Sequence, residues 1–235
     1  MTAVKAEAPV QMSVPSLLAW NIAFISIVAT CAPTAVSGAD PDTVVVLNVT
    51  AELRAPSGNA LADDEFDVAG RTVRALLETA GIVVDWRDCR SARPDCEGST
   101  RKRLGVEVRL RPQAKSAERF VCGEVTRDYL GRPVIVAYLA PHVDLVAAFR
   151  FHVASRSNPS LGDVRVGQLV GLTLAHEVGH WLGLPHAPSG VMKARPALEE
   201  VTDLVAQRLA FAGAQGSSLR TALRTRSAAI VASNP

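Results

Sequence analysis

The segment His176-Glu177-Val178-Gly179-His180-Trp181-Leu182-Gly183-Leu184-Pro185-His186 sets three imidazoles and a carboxylate at the spacing H-E-x-x-H-x-x-G-x-x-H. Two histidines four apart on an α-helix lie about 6 Å apart along its axis on nearly the same face, close enough to share one metal ion. Glu177 stands beside them, within reach of a water on that metal. His186 cannot join them from the same straight helix. Gly183 removes the difficulty, because glycine accepts the left-handed conformation that ends a helix and turns the chain. Pro185 then stiffens the approach to His186. A trio of imidazoles with one open position is the donor set of a catalytic Zn²⁺ site rather than a structural one. The chain has only 5 histidines, and this one motif takes most of them, which a chance match does not explain.

Ser189-Gly190-Val191-Met192 follows closely. A long zinc motif with a methionine soon after it resembles the Met-turn of the metzincin metallopeptidases. The run Leu174–Met192 is similar to the matrixin-like bacterial branch, in which a short loop joins the last histidine to the methionine. The resemblance implies a zinc endopeptidase with His176, His180 and His186 as ligands, Glu177 as general base and Met192 as a hydrophobic floor beneath the imidazoles. It implies a zincin-like α/β (α+β) fold: a twisted, mostly parallel sheet of four to five strands, a backing helix, a zinc-bearing helix and a small C-terminal helical subdomain. Substrate would add to the edge strand beside the zinc helix, the physics being β-augmentation; which strand is that edge is not assigned. Outside Leu174–Met192 the likeness lies only in the order of elements. Lys193 departs from it, standing where matrixins carry a tyrosine and then a proline, so the wall of the substrate pocket and any tyrosine donor to the oxyanion are left open.

The chain that positions this segment has 235 residues, enough for one good core, with 48% hydrophobic and 20% charged residues. A net charge of +2 gives no footing to nucleic acid or another polyanion. Residues 1–39 differ from the rest. Leu17–Thr30 carries no charge, and small residues lead to Ser37-Gly38-Ala39, the pattern of a signal peptide cut near Ala39-Asp40. Leu17–Ala35 also approaches the length of a membrane span, Val28-Ala29-Thr30-Cys31 approximates a lipidation box, and a buried core helix is a further reading. All but the last place residues 40–235 outside the cytoplasm as one catalytic domain, divided at 183/184 into N- and C-terminal subdomains. It is expected to act as a monomer on a peptide or protein substrate, touching membrane only through an N-terminal anchor. Cys89 and Cys96 flank a loop whose length permits a disulfide in an oxidising compartment. A Cys-x6-Cys metal site there lacks its second ligand pair. Cys122 is left odd and is expected to be buried and inert.

Periodicity orders the remaining elements. Thr43–Val49 is β-branched and reads as a buried strand. Asp63, Asp64, Glu65 and Asp67 open a helix whose apolar positions run from Phe66 to Ala80, ended by Gly81; a calcium site would need alternate-position ligands around a glycine turn. Strands follow at Ile82–Trp86, Leu104–Arg111, Phe120–Val125 and Val134–Leu139. Pro141–Ser157 reads as a helix bearing His142 and His152 as surface imidazoles. Asp163 is a plausible N-cap for a zinc helix over Val164–Leu182, apolar nearly all round. Its face Leu169, Thr173, His176 and His180 aims at the cleft, while Gly167, Gly171 and Gly179 imply close approach to the sheet. Beyond Met192, Pro196 is expected at the first position of a helix with core face Leu198, Val201, Val205 and Leu209. Residues 213–218 read as a loop before a last helix whose Arg220, Arg224 and Arg226 are solvated. Two other classes fit the motif: a zinc-binding module without turnover, used for surface recognition, and a zinc hydrolase of a non-peptide amide or ester.

Overall fold

The computed structural model describes residues 44–51, 61–90, 96, 104–112, 121–154 and 162–233. The export segment and Cys31 lie outside them. Among the described residues no helix is long and apolar enough to cross a membrane.

A five-stranded sheet in the order β2-β1-β3-β5-β4 is laid against helices in a mixed α/β arrangement. Its strands are β1 (Val44–Ala51), β2 (Val83–Asp88), β3 (Gly105–Arg111), β4 (Gly123–Arg127) and β5 (Pro133–Tyr138); its helices are α1 (Asp63–Glu78), α2 (Leu139–Ala154), α3 (Val166–Trp181), α4 (Leu198–Val205) and α5 (Gly213–Ser233). β1, β2, β3 and β5 pair in parallel, and only β4 runs antiparallel, on the outer side of β5. The edge beside α3 is therefore β4. β3 shows why the sheet has a core face: Val106, Val108 and Leu110 are buried, while Glu107, Arg109 and Arg111 alternate with them and stay partly exposed. The apolar faces of α1, α3 and α5 share one core with them, including Val73, Leu77, Leu174, Val178, Leu219 and Leu223. All described residues belong to one compact unit, Gly38–Pro235.

The glycines of α3 pack closely, but against a different partner from the one expected. A Cβ on Gly167 would stand 2.2 Å from the Glu65 carbonyl, and one on Gly171 would stand 2.6 Å from Thr72 Cβ and 2.8 Å from the Ala69 carbonyl. Both partners lie on α1, so it is helix-to-helix approach, not helix-to-sheet, that needs the missing side chains. Electrostatics ties the same pair at its N-terminal ends. Glu65 Oε2 accepts the Gly167 amide at 2.6 Å, and Arg165 bonds Glu65 at 3.0 Å and Asp64 at 2.5 Å. A carboxylate from α1 thus satisfies an orphan amide at the start of α3, where the helix dipole favours negative charge. Asp163 is displaced as N-cap by Arg165, whose amide is met at 2.9 Å by the Gln168 side chain reaching back.

Other expectations are corrected in the C-terminal third. Pro196 precedes the N-cap Ala197 instead of occupying the first turn. Leu198 is 42% exposed, whereas Val201 and Leu204 are buried, so the core stripe of α4 begins one turn later. Residues 213–218 are helical from Gly213 onward. Nor are Arg220 and Arg226 merely solvated. Arg220 Nη1 donates to the Ala80 carbonyl at 2.6 Å, just past α1, and Arg226 Nη2 donates to the Trp181 carbonyl at 2.7 Å while its guanidinium lies over the Trp181 ring. Both supply a cation where carbonyls are left unpaired at a helix end. Gly171→Ala is expected to destabilise the fold by about 1–3 kcal/mol, the usual cost of overpacking, read as a lowered urea midpoint at unchanged slope.

Candidate metal centre

α3 delivers His176, Glu177 and His180 because it is held on every side. Glu177 and Trp181 are buried, and His176 and His180 are half-buried. The helix stops as its sequence requires. Leu182 is the C-cap and Gly183 takes φ +97°; the Gly183 amide donates to the His180 carbonyl and the Leu184 amide to the Gly179 carbonyl, both at 2.9 Å. This reciprocal pair is the Schellman arrangement, and its left-handed residue turns the chain back along the helix. Pro185 and His186 follow, and His186 returns to the ligand face. One ligand nitrogen from each of His176, His180 and His186 lies within 4.8 Å of the others.

The hydrogen bonds fix which nitrogens those are. His176 Nδ1 contacts the Val191 carbonyl and His180 Nδ1 contacts the Leu184 carbonyl, each at 2.8 Å. A carbonyl only accepts, so both Nδ1 atoms carry the proton and both Nε2 atoms present a lone pair. Anchoring the far ring nitrogen on a carbonyl is how metal-binding histidines are oriented. His180 Nε2 stands 3.0 Å from His186 Nε2, near the roughly 3.3 Å that tetrahedral Zn–N bonds of about 2.0–2.1 Å impose. Burial, more than the proximity of the other two rings, holds His176 below its ordinary pKa and so keeps it neutral. The residues present therefore fit a divalent ion of the zinc type.

The turn after His186 serves the site twice. The Ala187 amide donates to the Met192 carbonyl at 2.8 Å, and Lys193 to the Gly190 carbonyl at 3.1 Å, which brings Val191 under His176. Met192 is fully buried, and a Cβ on Gly179 would meet its Sδ at 2.4 Å. The third glycine of α3 thus makes room for a methionine. Lys193 is paired with α4: Nζ donates to both carboxylate oxygens of buried Glu200, at 2.7 and 2.8 Å, while Glu200 also accepts the Ala197 amide.

Glu177 lies where α3 meets the edge strand. A Cβ on Gly123 of β4 would come 3.1 Å from Glu177 Cγ. Burial first, and then the negative charge of Glu124 on the same strand, push the Glu177 carboxyl up to about 7. Cys122, expected to be buried, is only half-buried and is the free cysteine among the described residues; burial and then the Glu177 charge raise its thiol pKa, which disfavours the reactive thiolate. Cys89 and Cys96 form the expected disulfide. Asp63 pairs with Arg90, and Asp64 and Glu65 pair with Arg165, at the start of α1.

No family model matches the chain, and no curated protein does. Among solved structures, the chain is similar to a zinc-dependent peptidase from Methanocorpusculum labreanum (strain Z), with 14% identity, a TM-score of 0.38, and 74% of this chain and 99% of that one covered. It is also similar to the GM1-bound form of the ECX AB5 holotoxin, with 14% identity, a TM-score of 0.35, and 72% and 74% covered. At such scores a likeness assigns no residue, and the centre is read from its own atoms.

Sequence reasoning missed one residue. His142 is 1% exposed, not a surface imidazole; its partners are the Tyr138 carbonyl at 2.5 Å and Thr173 Oγ1 at 2.8 Å. The signal was present in its place in the first turn of an apolar helix, but its partners lie on other elements. The side chain of His152 lies outside the described residues. Burial, against the opposing effect of the Tyr138 hydrogen bond, depresses His142 to about 4. A folded-state pKa below the unfolded value of 6.5 makes the unfolded chain take up the proton first, so stability falls as pH drops from about 6.5 to 4. Glu177, raised above 4.5, works the other way between about 7 and 4.5. In metal-free protein, His142→Gln is expected to remove up to about 3 kcal/mol of acid-side slope, and Glu177→Gln to steepen it, as measured by urea unfolding across that range.

Proposed function

We propose that this chain is an exported zinc-dependent endopeptidase of the metzincin type, hydrolysing peptide bonds with a water that Glu177 deprotonates. One observation carries the reading: backbone carbonyls occupy Nδ1 of His176 and His180, leaving their Nε2 lone pairs free in a trio whose ligand nitrogens, with that of His186, lie within 4.8 Å of one another, and buried Glu177 follows His176 directly on the helix. A structural site would need a fourth protein ligand, and none joins the trio among the described residues.

A zinc ion, which His176, His180 and His186 would hold, would supply Lewis acidity and make water more acidic at the site. Everything else falls to the chain's own residues. Glu177, raised toward neutrality by burial, is matched to take a proton from the attacking water and return it to the leaving amine. Its buried, low-dielectric surroundings strengthen the electrostatics of that exchange. β4 is paired on one side only in the described sheet, so its free edge suits an extended substrate strand. Lys193, committed to Glu200, does not take the place of the tyrosine donor that the resemblance implies. Met192 supports the imidazoles from beneath. We assign residues 1–39 to export or anchoring, 40–183 and 184–235 to the subdomains of one monomeric catalytic domain, and the peptide to the cleft between β4 and α3. The Cys89–Cys96 disulfide supports an oxidising destination.

Glu177→Gln is expected to lower kcat by roughly 100- to 10,000-fold with one zinc per chain retained by elemental analysis. A chelator is expected to abolish cleavage of quenched peptides, and added zinc to restore it. Wild-type turnover by the Gln variant would remove Glu177 as base. Stoichiometric zinc without peptide cleavage in the wild type would favour the recognition module instead.

A further inference from the structure

We propose that His142 and Thr173 form a positioning pair that sets the spacing between the edge strand β4 and Glu177. The proposal deepens the peptidase reading and rests on it for its catalytic arm.

Thr173 sits one helical turn before Glu177, so the two side chains neighbour each other on α3. Between them lies Gly123, the first residue of β4. A Cβ there would meet Thr173 Cγ2 at 2.5 Å, the Val136 carbonyl at 3.0 Å and Glu177 Cγ at 3.1 Å. The strand backbone therefore rests directly on these two side chains, and the depth of the cleft at the carboxylate is decided by where the Thr173 methyl points. That direction is not left to the threonine. A helical threonine divides between two χ1 states because its hydroxyl can turn back to a carbonyl of the preceding turn. Here the hydroxyl is taken by His142.

The ring can serve only one way. Its Nδ1 faces the Tyr138 carbonyl, so Nδ1 donates, Nε2 is the acceptor, and the Thr173 hydroxyl gives its proton to it. Tyr138 ends β5 and its hydroxyl donates to Glu124 Oε1 at 2.5 Å, on β4 next to Gly123. One buried imidazole thus joins the end of β5, the start of α2 and the middle of α3. The methyl it orients bears on β4. Loss of the His142 bond frees the Thr173 rotamer, and the strand that would carry the substrate shifts against the base. Misplacement by about 1 Å can cost about 100-fold in rate.

The experiment separates hydroxyl from methyl. Thr173→Val removes the bond to His142 and keeps both branches; Thr173→Ser keeps the bond and removes the methyl. On an extended quenched peptide, Thr173→Val is expected to lower kcat about 10- to 100-fold with KM within about 2-fold and the zinc content unchanged. His142→Leu is expected to match it, and the double variant to add little beyond either. A residue with a merely structural role would lower the melting temperature while the folded fraction kept its kcat. Gly123→Ala, whose new Cβ strikes the Thr173 methyl, is expected to lose activity and melting temperature together, and Thr173→Ser but not Thr173→Val is expected to restore part of both. If wild type cleaves no peptide, the peptidase reading fails while the melting temperatures of the Gly123→Ala, Thr173→Ser and Thr173→Val set still decide the spacing. Wild-type kcat in Thr173→Val, or no selective rescue by serine, would overturn the pair.

Discussion

The centre depends on two backbone carbonyls, those of Leu184 and Val191, each accepting a proton from a histidine Nδ1. An imidazole has two tautomers of similar energy, and without a fixed partner the wrong nitrogen is as available as the right one. Both carbonyls come from the chain just after the Gly183 bend. The residue that lets the helix stop therefore also supplies the geometry that decides which nitrogen of the helical histidines faces outward. A longer helix would carry Leu184 out of reach of His180, and His186 would be lost from the face along with it. Ligand position and ligand protonation follow from one turn of backbone.

The turn cannot act alone, since a carbonyl orients a ring only if it is itself immobile. Met192, fully buried against Gly179, and the Gly190–Lys193 turn fasten Val191 to the helix. Lys193 and Glu200 then fasten the turn to the start of α4, where the same carboxylate also meets the Ala197 amide. Glu200 is a buried charge, costly unless it is paired and hydrogen-bonded. It has three donor contacts, so the ion pair is satisfied.

The motif is legible in the sequence because its logic is local. His176, Glu177 and His180 need only helical spacing, Gly183 only its own conformational freedom, and the disulfide only a short loop. The order of strands and helices is legible for the same reason, since alternation and helical period are properties of a few consecutive residues. What escapes is whatever requires a partner far along the chain. Gly167 and Gly171 announce a close contact, but nothing in α3 says that the contact is α1 and not the sheet. Arg220 and Arg226 look like a solvated stripe until the carbonyls of Ala80 and Trp181 are placed beside them. The glycines and serines of 213–218 read as a loop because their propensity is poor; packing of Leu219 and Leu223 into the common core extends the helix over them. The edge position of β4 likewise depends on β5 returning between it and β3.

His142 differs from a surface imidazole because both its partners, the Tyr138 carbonyl and the Thr173 hydroxyl, lie on other elements. Its neutrality is enforced from both sides: burial disfavours the cation, and its two hydrogen bonds use one nitrogen as donor and one as acceptor. Glu177 is buried nearby with its pKa moved in the opposite sense. On acidification the first group resists a proton that the unfolded chain would take, and the second accepts one that the unfolded chain would refuse. Their contributions to stability therefore offset each other between about pH 4.5 and 6.5. A buried carboxylate is intrinsically destabilising at neutral pH, and the burial that raises the Glu177 pKa carries that cost. The sheet and helices that hold Glu177 dry must then be stable enough to absorb that cost. The α1–α3 contact through Gly167 and Gly171, with Glu65 on the α3 amide, ties that helix to the rest of the core.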